Sequence, residues 1–137
     1  MFNASELLTI LVLFCVYGLI VFGLFFALRR FTLPAKIAIL ASFLIFGVLA
    51  GLISAQLWPQ DISVMANFPA SLIGDWIYHY SIQYIGDPSS AQAHYTIPWI
   101  LRIPQAYVLA SVLFWGLLGL LVQLVYNGRM RVMNRYV

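Results

Sequence analysis

Three long runs that hold no charged side chain and no histidine constrain this chain more than any other feature of its sequence. They cover residues 7–28, 37–57 and 106–126. Each run has the roughly 20 apolar residues that a helix needs to cross a bilayer. Backbone polar groups inside hydrocarbon must be hydrogen-bonded within their own segment, which favours helices. The sequence therefore predicts an all-α membrane protein with three transmembrane helices, forming a single transmembrane domain over residues 1–137.

The composition agrees with a lipid environment. The chain is 64% hydrophobic and only 8% charged, whereas about a quarter of the residues of a soluble domain are charged. A soluble domain of this size buries only about two-thirds of its surface and could not hide so much apolar area. The net charge of +3 includes no dense basic cluster, so nucleic acid is not an expected partner.

The first apolar run is expected to be a retained membrane helix. It lacks the basic residues that precede the apolar stretch of a secretory signal, and Arg29-Arg30 follows it as in a stop-transfer segment. It contains the single cysteine, Cys15, which cannot form an internal disulfide. We expect Cys15 to pack as a small apolar residue.

The charges predict an orientation. Six of the seven basic residues fall in the short turn at 29–36 or in the C-terminal tail, and three spans place those segments on one side. The positive-inside rule makes that side cytoplasmic, or matrix or stroma in an organelle. All four acidic residues lie on the other side, with the N-terminus and the 58–105 loop. We therefore expect a bacterial or archaeal inner membrane, or an organellar membrane, with that loop outside.

Proline and capping residues predict where several helices begin or end. Pro34 can end the first helix or start the second. Asn127-Gly128 is a plausible C-cap for the third. Within the loop, Asp87 could cap a second short helix with Pro88 at its first position.

The extracytoplasmic loop over residues 58–105 is rich in aromatic residues, and residues 71–84 have helical spacing. The pattern predicts an amphipathic helix lying in the membrane interface or packing against a protein partner. Its polar face carries no basic residue to attract anionic lipid, which favours the partner. The side chains expected to contact membrane or partner are Trp76, Ile77, Tyr80, Tyr84 and Trp99.

Small residues at helical spacing predict where the spans pack closely. The second run carries Gly47, Gly51 and Ala55 on one ridge, and the third carries Gly116 and Gly119 with Gln123 on the same face. Contact between these two helices and contact with another subunit explain the pattern equally well.

Asp75, His79 and His94 form the only arrangement that suggests metal chemistry. A carboxylate and two imidazoles suit copper, iron or zinc, although an ordinary surface Asp75–His79 pair with an unrelated His94 is the favoured explanation of the spacing. The Asp-x3-His…His pattern resembles the metal motif in the membrane subunit of copper-containing methane and ammonia monooxygenases. The gap between the histidines is longer here and those subunits have more spans, so we assign no family from this likeness.

The absence of ionisable residues within the three runs disfavours a pump or coupled transporter acting alone. No nucleophile has a visible base and orienting group, which favours a non-catalytic role. The leading expectation is a small subunit that scaffolds a larger membrane complex of respiratory, photosynthetic, secretory or conjugative type. Its partners are other membrane subunits and the lipid bilayer, and the sequence requires no cofactor. The alternatives are a subunit that holds a metal or haem through His79 and His94, and a small pore or holin-like protein.

Overall fold

The structure is a computed structural model that describes residues 4–58 and 66–134, apart from the side chain of Glu6. Every regular element in these stretches is a helix, as predicted. The helices are α1 (Ala4–Arg30), α2 (Ala35–Leu57), α3 (Ala70–Tyr84), α4 (Ala93–Thr96) and α5 (Gln105–Met133), with a 3-10 turn at Trp99–Leu101. Helices α1, α2 and α5 are long and apolar enough to cross a membrane. Asp61 and Arg135, which contribute to the charge asymmetry, lie outside the described residues.

The turn between α1 and α2 is closed by backbone hydrogen bonds. The N–H groups of Phe31 and Thr32 donate to the carbonyls of Leu28 and Arg29 at 3.1 and 3.2 Å. Thr32 has a φ of 61°, a left-handed conformation that a β-branched residue rarely adopts and that α-helix cannot continue. Pro34 directly precedes α2, and its carbonyl accepts the first hydrogen bond of the helix, from the N–H of Ala38 at 2.9 Å.

Helix α5 is longer than its sequence predicted. The expected C-cap at Asn127-Gly128 is wrong, because the helix continues to Met133. No described glycine has the positive φ of such a cap, and the arginines that follow are good helix formers. A helix of 29 residues is about 43 Å long. Its final turns therefore extend beyond a hydrocarbon core of about 30 Å.

The described residues form two compact units. The first comprises residues 1–46 and 118–137. In it the ring of Tyr17 on α1 packs against that of Phe46 on α2, with centroids 5.4 Å apart. Gly119 on α5 lies against Phe43, where a Cβ on the glycine would come within 2.8 Å of the Phe43 Cβ. Only 11% of the α1 span is buried, compared with 44% of α2, so most of the α1 surface is available to lipid or another protein.

The second unit comprises residues 47–117, and in it α2 and α5 approach closely. A Cβ added to Gly51 would lie 2.8 Å from the Cα of Val108, and one on Gly47 would lie 3.1 Å from the carbonyl oxygen of Ser111. The Ser111 hydroxyl donates to the Gly47 carbonyl at 2.6 Å. The glycines thus bring two backbones together and allow an interhelical hydrogen bond, the usual basis of helix association in lipid.

Helix α3 runs antiparallel to the beginning of α5 within this second unit. Gly74 lies against Tyr107, near the start of α5, where a Cβ on the glycine would be 3.0 Å from the Tyr107 Cα. Asn67, just before α3, accepts a 2.9 Å hydrogen bond from the indole N–H of Trp115. Trp115 lies ten residues into α5, or about 15 Å along its axis. The predicted helix is confirmed and follows α5 over several turns, while its placement in the headgroup layer stays a prediction.

Candidate interaction site on helix α3

The face of α3 that packs within the chain consists mainly of small residues. Its buried members are Ala70, Ser71, Gly74, Tyr78 and Ser81. The larger apolar side chains of Leu72 and Ile73, by contrast, are exposed. The reason is steric, because a face of Ala, Ser and Gly lets the α3 backbone approach α5 at a distance that bulky side chains would prevent.

Tyr78 is the large side chain that anchors this face. It is only 6% exposed and forms a cluster with Ile97 and Ala106. Its ring meets the ring of Trp58 edge to face, with centroids 5.9 Å apart. The phenol oxygen lies 3.0 Å from Nδ1 of His94. Burial raises the pKa of Tyr78, so the phenol stays neutral and serves as a hydrogen-bonding group that ties α4 to α3.

The opposite side of α3 presents three aromatic rings, which we call the aromatic face: Trp76, Tyr80 and Tyr84. The rings of Trp76 and Tyr80 stack with centroids 5.0 Å apart, and those of Tyr80 and Tyr84 lie 4.3 Å apart. The three residues are 63%, 45% and 64% exposed. The i, i+4, i+8 spacing places them in one continuous row along the helix.

The two other residues that the sequence suggested for contact with membrane or partner lie elsewhere. Ile77 is half-buried and packs against the Tyr78 cluster, so it belongs to the support of the helix. Trp99 is well exposed but sits in the 3-10 turn before α5. The aromatic face therefore consists of three of the five predicted residues.

The segment after α3 is held together by short-range hydrogen bonds. The Asp87 carboxylate accepts from both the hydroxyl and the N–H of Ser89, and these bonds lower the pKa of Asp87. The Asp87 N–H donates to the Thr96 hydroxyl at 2.9 Å. The expectation that Asp87 caps a helix starting at Pro88 is wrong. Asp87 instead closes an Asx-type turn, and α4 begins only at Ala93.

Arg102, the one basic residue on the predicted outer side, is bound by the chain itself. Its Nε donates to the Ile97 carbonyl at 3.0 Å and one terminal nitrogen donates to the Tyr95 carbonyl at 3.1 Å. The guanidinium carbon also lies 5.5 Å from the centroid of the Tyr95 ring, within the range of a cation–π contact. Arg102 thereby fastens the segment between α4 and the 3-10 turn.

Asp75 and His79 come together, but His94 does not join them. Nε2 of His79 lies 3.4 Å from Oδ1 of Asp75, and that same oxygen accepts from the Tyr107 hydroxyl at 3.2 Å. His94 turns its Nδ1 to Tyr78. Among the described residues no group of three His, Cys, Asp or Glu side chains could hold a metal ion. The metal centre stays a prediction, and this geometry lends it no support.

The small residues singled out on α2 and α5 lie at or near contacts within the chain. Gly47, Gly51 and Gly119 make the close approaches described above, Ala55 and Gly116 are buried, and Gln123 is half-buried. The sequence reading missed Gly74 and Tyr107, which fix α3. A signal existed, because Ala70 and Gly74 form a small-xxx-small pair of the kind sought in the spans.

The chain matches no protein-family model, and comparison with the curated proteins and with the solved structures found no match either.

Proposed function

We propose that this chain is a small non-catalytic subunit of a larger membrane-protein assembly, and that it docks onto a neighbouring subunit through the aromatic face of α3. The observation that carries the proposal is the row of three exposed rings, each in contact with the next, on a helix whose other face packs against α5. Tyrosine and tryptophan are enriched at the centres of protein interfaces.

The rigidity of α3 supports docking. Side chains that are already ordered lose little conformational freedom on binding, which leaves more of the contact free energy as affinity. The close approach of Gly74 to Tyr107 and the burial of Tyr78 hold the helix, and contacts between neighbouring rings hold the aromatic side chains.

Aromatic rings also settle in the headgroup layer of a membrane without any protein partner. Interfacial helices that bind lipid in this way usually add basic residues on their polar face. Helix α3 contains no lysine or arginine, and its polar face carries Asp75 and His79. This composition favours a protein over anionic lipid as the occupant of the aromatic face.

Trp76→Ala is expected to release the chain from its assembly while leaving it inserted in the membrane. The substitution removes the first ring of the row from a side chain that is 63% exposed and is not part of the buried face. Truncation of a central interface tryptophan typically costs 2 kcal/mol or more, which is about 30-fold in affinity. The measurement is the amount of partner that co-purifies with a tagged chain in mild detergent.

Phe22→Ala is the matched control. Phe22 is a comparably exposed aromatic residue on α1, and its ring also contacts a second ring, that of Phe26, at 4.6 Å. We expect this variant to retain the partner. Equal recovery of partner with the Trp76 and Phe22 variants, or a wild-type chain that purifies from mild detergent as a stable monomer without a partner, would show that the aromatic face is not a docking surface.

We also propose the orientation that the charges favour, with the N-terminus and the 58–105 loop outside. The exception among the basic residues, Arg102, supports it, because its guanidinium group is engaged by two carbonyls and a tyrosine ring.

Single-cysteine variants are expected to report this orientation directly. In a Cys15→Ser background, Ser90→Cys should react with an impermeant maleimide in intact cells or vesicles, whereas Asn134→Cys should react only after permeabilisation. Ser90 lies in the segment between α3 and α4, and Asn134 follows the end of α5. The opposite labelling pattern would reverse the proposed orientation.

A further inference from the structure

A cavity of about 560 Å³ lies between the start of α2 and the end of α5, within the first compact unit. Its size is in the range of sites that hold small molecules or headgroups. Two basic side chains line it, Lys36 from α2 and Arg131 from α5, beside the polar residues Tyr126, Asn127 and Asn134. We propose that this cavity binds the phosphate group of an anionic phospholipid, with phosphatidylglycerol as the type of headgroup that it fits.

The positive charge in the cavity is not compensated by any acidic side chain in the part of the chain that the structure describes. Among the described residues, neither Lys36 nor Arg131 has a carboxylate within ion-pairing distance, and no acidic residue lines the cavity. The N-terminus of α2 and the C-terminus of α5 carry partial charges of about +0.5 and −0.5, which offset each other. The two formal positive charges therefore remain, and a phosphate diester is the anion that a bilayer supplies.

The depth of the cavity fits a lipid phosphate. Lys36 directly precedes the uncharged run at 37–57, and Arg131 lies five residues after the uncharged run that ends at Tyr126, which is about 7.5 Å along the helix. The headgroup layer extends about 5–8 Å beyond the hydrocarbon on each side of a bilayer. Both cations therefore lie where headgroup phosphates lie, whichever side of the membrane this is.

Neutral polar side chains in the cavity lining favour a headgroup that carries hydroxyls. They are those of Tyr126, Asn127 and Asn134. The glycerol hydroxyls of phosphatidylglycerol can donate to and accept from such groups, and they are placed next to the phosphate. Apolar contact from Met130 and Pro34 on the cavity wall suits the first carbons of the lipid.

The test is the titration of phosphatidylglycerol into the delipidated full chain, followed by native mass spectrometry. The wild-type chain is expected to retain one phosphatidylglycerol more strongly than phosphatidylcholine. The double variant Lys36→Gln, Arg131→Gln is expected to bind it about 30-fold more weakly. The control is Arg30→Gln, Arg129→Gln, which removes the same charge from the same end of the helices without touching the cavity lining and should bind nearly as the wild type does.

Each alternative has its own outcome. Equally weakened phosphatidylglycerol binding in both double variants would show that the lipid responds to diffuse surface charge, and it would overturn the site. Unchanged binding in the Lys36 and Arg131 variant would overturn the site as well. Displacement of phosphatidylglycerol by an equal concentration of inorganic phosphate would identify a free-phosphate site and overturn the lipid assignment. The far-ultraviolet circular dichroism spectra of both double variants should match that of the wild type, since none of the four substituted side chains is buried.

Discussion

Gly51→Leu is expected to disrupt the packing of α2 on α5 within a single chain. A Cβ at this position would lie 2.8 Å from the Cα of Val108 and 3.2 Å from the carbonyl oxygen of Tyr107. Both are backbone atoms, so the conflict cannot be relieved by rotating a side chain. Overpacking of a well-packed site typically costs 1–3 kcal/mol and more when the backbone must move, and we expect a loss of about 3 kcal/mol in unfolding free energy.

The measurement is reversible unfolding in mixed detergent micelles, followed by tryptophan fluorescence. Gly23→Leu on α1 is the matched control, because a Cβ there has nothing within 4 Å and the residue is exposed. The same side chain added to an open face should change the unfolding free energy by less than about 1 kcal/mol. Similar losses at the two glycines would refute the close contact between α2 and α5.

Tyr107→Ala is expected to have the largest effect of any single truncation, because the Tyr107 side chain is buried and packs against α3. It is 1% exposed, its backbone lies beneath Gly51 and Gly74, and its hydroxyl reaches Asp75. Truncating a buried aromatic residue to alanine costs about 3–5 kcal/mol. The same unfolding experiment measures this loss, and limited proteolysis should show faster cleavage between α2 and α5 as α3 loosens.

Tyr107→Phe separates packing from hydrogen bonding. It keeps the ring and removes the hydroxyl that donates to Asp75. We expect a loss of about 1 kcal/mol, because Asp75 is partly exposed and water can replace the lost donor. If Phe and Ala at this position destabilise the chain equally, the Tyr107 ring does not pack against α3 as the structure shows.

These two sites show what the sequence could predict. Long uncharged runs must form helices in a bilayer, so the three long helices follow from the length of these runs. The helix in the 58–105 loop follows from its helical periodicity. The small-residue pattern pointed to Gly47 and Gly51 as packing positions, but it could not decide between another helix of the same chain and another subunit. Only the three-dimensional structure shows that α5 of the same chain occupies that ridge.

The loop helix shows why the rest could not be predicted. Hydrophobicity ranks Leu72, Trp76 and Tyr80 above Ser71 and Gly74, and in a soluble protein the first group would face the core. In a membrane protein, hydrophobicity poorly predicts which face of a helix packs within the protein. Small residues that let two backbones approach closely determine that face instead. His94 was likewise grouped with His79 from chain order, but it meets Tyr78 instead.

The antiparallel packing of α3 on α5 also sets an order of assembly during synthesis. The chain is made from its N-terminus, so the ribosome releases α3 before the helix that supplies its main contacts, Tyr107 and Trp115. Until the third span has been made and inserted, the small-residue face of α3 cannot pack against α5, and Asn67 cannot form its hydrogen bond with the indole of Trp115. The docking of α3 is therefore a late event. A chain truncated before residue 105 would lack the packing of α3 on α5, even with its first two spans in place.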